Sequence, residues 1–150
     1  MTRTYSIKPA DIERKWYLID ASENTLGRIS TQAARLLIGK DKAQFSNHID
    51  CGDYVVIINA SGLKVTGNKL LDKKYYRHSG HPGGLHSITL NEQMSKDATK
   101  VIYHSVRGML PVNKLTDLRL KRLKIYSGSE HQHTAQQPVT ITVAKKGEKA

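Results

Sequence analysis

The chain has 150 residues, enough for one domain with its own core and too few for two of ordinary size. Hydrophobic residues make up 38% and charged ones 25%, the mean hydropathy is -0.51, and the longest apolar runs, such as "VVII" at 55–58, are far too short to cross a bilayer. Lys and Arg number 24 against 13 Asp and Glu; the net charge of +11 is unusual for a small metabolic enzyme and suggests a polyanionic partner.

The N-terminal stretch "MTRTYSIKPADIERKW" has no apolar segment of the secretory kind, so no signal peptide is expected. Cys51 is the single cysteine, which excludes an internal disulfide framework and reads as a small, half-buried hydrophobe. "WYLIDAS" (16–22) predicts a short strand buried on both faces. In "NTLGRISTQAARLLIGK", Leu26, Ile29, Ala33, Leu36 and Leu37 recur at helical spacing, Asn24 or Thr25 could cap the start, and Gly39 sits where a C-cap belongs. Arg28 and Arg35 fall on the polar face of that helix. "DYVVIIN" (53–59) is the strongest strand signal. Strand, helix, strand is the order of a β-α-β unit.

Beyond Asn59 the chain becomes glycine-punctuated and basic. A short strand is expected near 63–66 and a turn at Gly67-Asn68. "TLNEQM" opens a helix with Thr89 and Glu92 spaced as a capping box. A second helical stretch runs from about Ala98 until Pro111 stops it. Residues 113–123, "NKLTDLRLKRL", predict a further helix, and "KIY" (124–126) a last short strand. The stretch from 127 reads as loop, "VTITV" has strand-like alternation without an evident second face, and "AKKGEKA" reads as a disordered basic end. The expected organisation is an N-terminal extension (1–13), a single α/β domain (14–126), and a C-terminal loop and basic tail (127–150).

Enzymatic motifs are weak. After "WYLID" only Gly27 remains of a dinucleotide fingerprint, and "VTGNK" is not a phosphate loop. Ser79 lies beside His78 and His81 without a nucleophile elbow, and Asp72 alone is no carboxylate cluster for a metal-dependent nuclease. The pairs His78/His81 and His131/His133 could be drawn with Cys51 as a zinc set, yet structural zinc usually recruits paired cysteines. Should the two pairs converge, a four-nitrogen site stays open. In a polar loop, an imidazole more commonly bonds locally or meets a phosphate. No catalytic residue, metal or cofactor is expected.

Charge distribution points elsewhere. Residues 1–63 carry 8 basic and 7 acidic side chains, whereas residues 64–124 carry 13 and 4. Lys64, Lys69, Lys73, Lys74 and Arg77 lie within fourteen residues together with Tyr75 and Tyr76. Cations fix a nucleic-acid backbone, and aromatics stack on exposed bases. Gly80, Gly83 and Gly84 let the backbone approach closely and offer N–H groups to phosphates. A second basic set comprises Lys114, Arg119, Lys121, Arg122 and Lys124. Nothing matches a zinc finger, a basic zipper or an RNP sequence, and the irregular glycine-rich presentation fits folded RNA better than a DNA groove. "NKLTDLRLKRL" lacks the clean apolar face of a membrane-surface helix. A regulatory RNA binder and a zinc-stabilised interaction module are the alternatives left open.

"WYLIDASENTLGRISTQAARLLIGKDK", "HIDCGDYVVIINA", "VTGNK", "KKYYRHSGHPGG", "VRGMLP", "RLKIYSG" and "EHQHTAQQP" resemble, in order over residues 14–138, the bacterial members of the large-subunit ribosomal protein thirteen family. The resemblance implies a three-layer α/β/α domain with a short, largely parallel four-stranded sheet. It further implies binding to large-subunit (23S) ribosomal RNA early in assembly, neighbouring ribosomal proteins as partners, a monomer within the cytoplasmic ribosome, and no catalytic role. The RNA-facing positions expected are Lys64, Lys69, Lys73, Lys74, Tyr75, Tyr76, Arg77, His78, Ser79, His81, Gly83 and Gly84. Lys114, Arg119, Lys121, Arg122, Lys124, His131 and His133 complete the set. The chain departs from the family at Ser127, Gly128 and Ser129, where an asparagine often precedes the glutamate.

Overall fold

The computed structural model describes residues 7–143; most of the basic end and the first six residues of the N-terminal extension lie outside the described residues. Strand β1 (Trp16–Asp20), helix α1 (Leu26–Ile38) and strand β2 (Tyr54–Ile58) form the expected β-α-β unit, with β1 and β2 parallel. Helix α2 (Lys69–Asp72) is a single turn. Strands β3 (Lys74–His78) and β4 (Leu85–Thr89) make an antiparallel hairpin, followed by helix α3 (Leu90–Met109), helix α4 (Thr116–Lys121), strand β5 (Leu123–Ile125) and strand β6 (Val139–Thr140). The main sheet is all parallel, in the order β5-β2-β1-β6, and the hairpin is a separate two-stranded sheet.

The α/β layering follows from the strand alternation. Ile19, Val55 and Ile57 are fully buried in one cluster with Ile29, Ala33 and Leu37 of α1 and with Val101, Ile102 and Val106 of α3. Trp16 and Tyr54 lie opposite each other in register and stack at 4.2 Å. By strand parity they belong to the other face, where His133 packs on Trp16 at 4.8 Å. That face is thus covered by the segment after β5, which includes a short 3₁₀ turn at Thr134–Gln136.

Local chemistry sets the boundaries. Gly39 closes α1 in the left-handed region at φ 81°, its N–H reaching the carbonyls of Arg35 and Leu36. Thr25 occupies the N-cap without a side-chain bond; Asn24 is buried and donates to the Val143 carbonyl at 3.1 Å, tying the end of the described chain to the β1–α1 loop. The Thr89/Glu92 capping box is formed, at 3.3 Å and 2.9 Å. Within α3, Asp97 leaves helical geometry and its Oδ1 accepts from the Thr99 N–H at 3.0 Å, so the second half has its own cap at the break before Ala98.

Three expectations change. Residues 63–66 contribute only an isolated Thr25–Lys64 bridge, and the helix expected over 113–123 shortens to the six residues of α4. The "VTITV" segment finds its second face at the edge of β1: Tyr17 and Leu18 pair with Val139 and Thr140, and Val143 enters the core. Sheet and core therefore continue past residue 126, into the stretch read as loop and tail.

Candidate nucleic-acid interface

The hairpin that carries the basic cluster stands clear of the core. Lys64, Lys69, Lys73, Lys74, Tyr76, Arg77, His78, Ser79, His81 and Gly83 are exposed, Tyr76 by 66%, while Tyr75 and Gly84 are half-buried. Alternation along β3 puts Lys74, Tyr76 and His78 on one face and Tyr75 and Arg77 on the other. Tyr75 packs against the core and lies 5.5 Å from the His104 ring of α3; burial raises its phenol pKa above the usual value. The Lys73 Nζ sits 5.8 Å over the same ring, and the Lys73 carbonyl accepts from the Leu90 N–H at 2.8 Å. One buried tyrosine and one backbone bond thus fix the hairpin to α3, leaving Tyr76 free to stack.

The connection between the strands is shaped by its own bonds. The Ser79 N–H donates to the Gly84 carbonyl at 3.0 Å, and the Gly84 N–H to the His81 carbonyl at 2.9 Å. Gly80 and Gly83 lie at φ 91° and 72°, where a side chain is strained. His78 Nδ1 accepts from the Gly80 N–H at 2.9 Å, which leaves Nε2 as the donor of the neutral ring. The two nearest carboxylates are engaged: Asp72 accepts from Asn68 at 3.0 Å, and Glu92 serves the α3 cap. Between hairpin and α3 runs a groove of about 1200 Å³ whose walls include Arg77, His86, Lys96, Lys100 and His104.

The second basic set splits. Lys114 and Lys121 are exposed and Lys124 is half-buried, but Arg119 and Arg122 are interior side chains, 2% and 7% exposed. Arg122 holds both oxygens of the buried Asp50 carboxylate and donates to the Leu37 carbonyl at 3.4 Å; Arg119 Nε lies 3.6 Å from the same carboxylate. The expectation that these two arginines face RNA is therefore corrected. They share the buried side of α4 with Leu120 and Leu123, and their charge is turned inward. Burial pushes the Asp50 pKa up, but hydrogen bonding and charge from Arg122, the charge of Arg14 and the Gly52 N–H outweigh it, and the carboxyl titrates below its ordinary range.

Residues 14–132 match the family described as ribosomal protein L13. Curated relatives named large ribosomal subunit protein uL13 are 52% identical over 139 residues in Maridesulfovibrio salexigens and 52% over 141 residues in Salinispora arenicola. The match covers 93% of this chain and 98% of the first protein, and 94% and 96% for the second. The relative from Laribacter hongkongensis is 47% identical over 141 residues, covering 94% of this chain and 99% of that protein. The chain belongs to the ribosomal protein L13 family.

In this L13 fold the histidine pairs stand in different settings. His78 and His81 belong to the hairpin, whereas His131 and His133 pack about Tyr126, with ring separations of 6.5 and 6.1 Å, and His131 Nδ1 accepts from the His133 N–H at 3.2 Å. Burial, then the charge of Lys124 and His131, lowers the His133 pKa. Among the described residues no three His, Cys, Asp or Glu side chains gather as a metal site would need. The α3 contribution to the basic groove went unread in the sequence, although Lys96, Lys100 and His104 follow one another at four-residue spacing, the signature of a single helix face. Among the described residues no helix is long and apolar enough to cross a membrane.

Proposed function

We propose that this protein is a structural constituent of the large ribosomal subunit in the cytoplasm, binding 23S ribosomal RNA early in assembly as a single copy beside other ribosomal proteins. It performs no bond chemistry. Family membership supports the subunit; the observation that carries the RNA-binding mode is the β3–β4 hairpin, whose exposed cations flank an exposed Tyr76 and whose nearby carboxylates are already bonded. Lys64, Lys69, Lys73, Lys74 and Arg77 neutralise phosphates, Tyr76 stacks on a base, and His78 Nε2 and the N–H groups of the glycine turn donate to phosphate oxygens. Lys114, Lys121 and Lys124 add a second contact, and His131 and His133 a local one. Native gradient sedimentation of the tagged chain tests this reading. It should co-migrate with large subunits and their precursors. Accumulation with free message, or at the top of the gradient, would reject it.

A further inference from the structure

Arg119 heads the largest fully buried side chains, and both its Nε and its Nη1 lack a hydrogen-bond partner. A buried guanidinium with unmatched donors is rare, because each such donor forfeits its hydration. Asp50 does not complete it. That one carboxylate faces Arg14 at 3.8 Å and Arg119 at 3.6 Å, while Arg122 takes both its oxygens. Three cations against one anion leave the cluster short of negative charge. Arg119 also lines a cleft of about 470 Å³ beyond the C-terminal end of α1, whose walls include Lys40, Asn47 and Asn113 as polar groups and Phe45 and Met109 as apolar ones. This volume suits a small organic ligand and exceeds what a bare phosphate fills.

We propose that this cleft binds one nucleotide, its phosphate toward Arg119 and Lys40 and its base against Phe45 and Met109. The phosphate supplies the missing acceptor and charge, a planar base suits the apolar wall, and the Asn47 and Asn113 amides can bond ribose or base edges. The site goes beyond the hairpin reading, since it takes a single nucleotide in a cleft rather than a strand along an exposed surface.

The test is calorimetric titration of the full chain with AMP and, at matched ionic strength, with inorganic phosphate. Saturable AMP binding about tenfold tighter than phosphate is expected, the order of one stacked base. Arg119→Met, close in volume, should lose AMP binding, whereas a variant with Lys69, Lys73, Lys74 and Arg77 all changed to Gln should keep it. AMP binding no tighter than phosphate, AMP binding retained in Arg119→Met, or AMP binding lost only in the hairpin variant would each overturn the proposal. If Arg119→Met does not fold, Phe45→Leu decides: loss of the advantage of AMP over phosphate supports the site, and its retention refutes it. In the supporting case, a trinucleotide that binds at least as tightly as AMP assigns the site to an RNA strand, and a weaker one to a free nucleotide. Because the hairpin variant is also read for ribosomal RNA binding, failure of the cleft and failure of the hairpin give different results.

Discussion

Changing Lys69, Lys73, Lys74 and Arg77 together to Gln removes four cations from the hairpin and its approach without touching the core, since all four side chains are exposed. Each phosphate contact contributes about −0.7 (single strand) to −0.9 (duplex) to the slope of log K against log salt concentration. Four lost contacts should therefore flatten that slope by roughly 3 to 3.6. Since counterion release fades near 1 M salt, the same change weakens binding at 0.1 M by about 10³. Exposed substitutions of this kind usually shift stability by under about 0.5 kcal/mol each, so the thermal midpoint should move little. Filter binding of large-subunit ribosomal RNA over roughly 50 to 400 mM KCl measures the slope directly. A slope within one of the wild-type value would show that fewer than two of these cations touch phosphate, and the hairpin could no longer be the principal electrostatic contact.

Two further predictions concern the scaffold. Asp50→Asn leaves Arg119 and Arg122 buried without their carboxylate and should cost about 3 to 5 kcal/mol in urea unfolding. The folded pKa of Asp50 lies below the unfolded value near 3.8, so its stabilisation is complete above that value and is lost as pH falls through the folded pKa. Wild-type stability should drop on acidification below about pH 4, and Asp50→Asn should flatten that part of the profile. Gly52→Ala should prevent normal folding, because a Cβ there would lie 1.8 Å from the Leu37 carbonyl oxygen; a cooperative melt within a few degrees of wild type would contradict the packing of α1 against residues 51–52.

The parts legible in the sequence were those whose signals are local. The run at 54–58, the αL glycine after α1 and the Thr89/Glu92 box each need only a few neighbouring residues to be recognised. The hairpin failed that condition. Of its ten strand residues only Tyr75, Ile88 and Thr89 are even half-buried, so "KYYRH" and "LHSIT" carry too little apolar alternation to announce strands. β6 is two residues long and gains its place only through β1, more than a hundred positions earlier. Arg119 and Arg122 misled for a related reason: a basic side chain between leucines reads as surface until its partner is known, and Asp50 stands 72 positions from Arg122. The family resemblance supplied the sheet that periodicity could not, but it did not mark these two arginines as interior.

That correction changes where the positive charge acts. The excess in residues 64–124 overstates the cationic surface, because Arg119 and Arg122 face Asp50 inside the domain. What remains outward is concentrated on the hairpin, on the Lys96–Lys100 face of α3, and on Lys114 and Lys121. A two-stranded hairpin is marginal by itself in water, so this one depends on Tyr75 against His104 and on the Lys73–Leu90 bond to hold its exposed face in place. Those anchors sit on the side of the strand that RNA does not need, whereas Lys74, Tyr76 and His78 sit on the other. Alternation within one five-residue strand therefore separates folding from binding. Substitutions at Tyr75 should be felt first in stability, and those at Tyr76 in affinity alone.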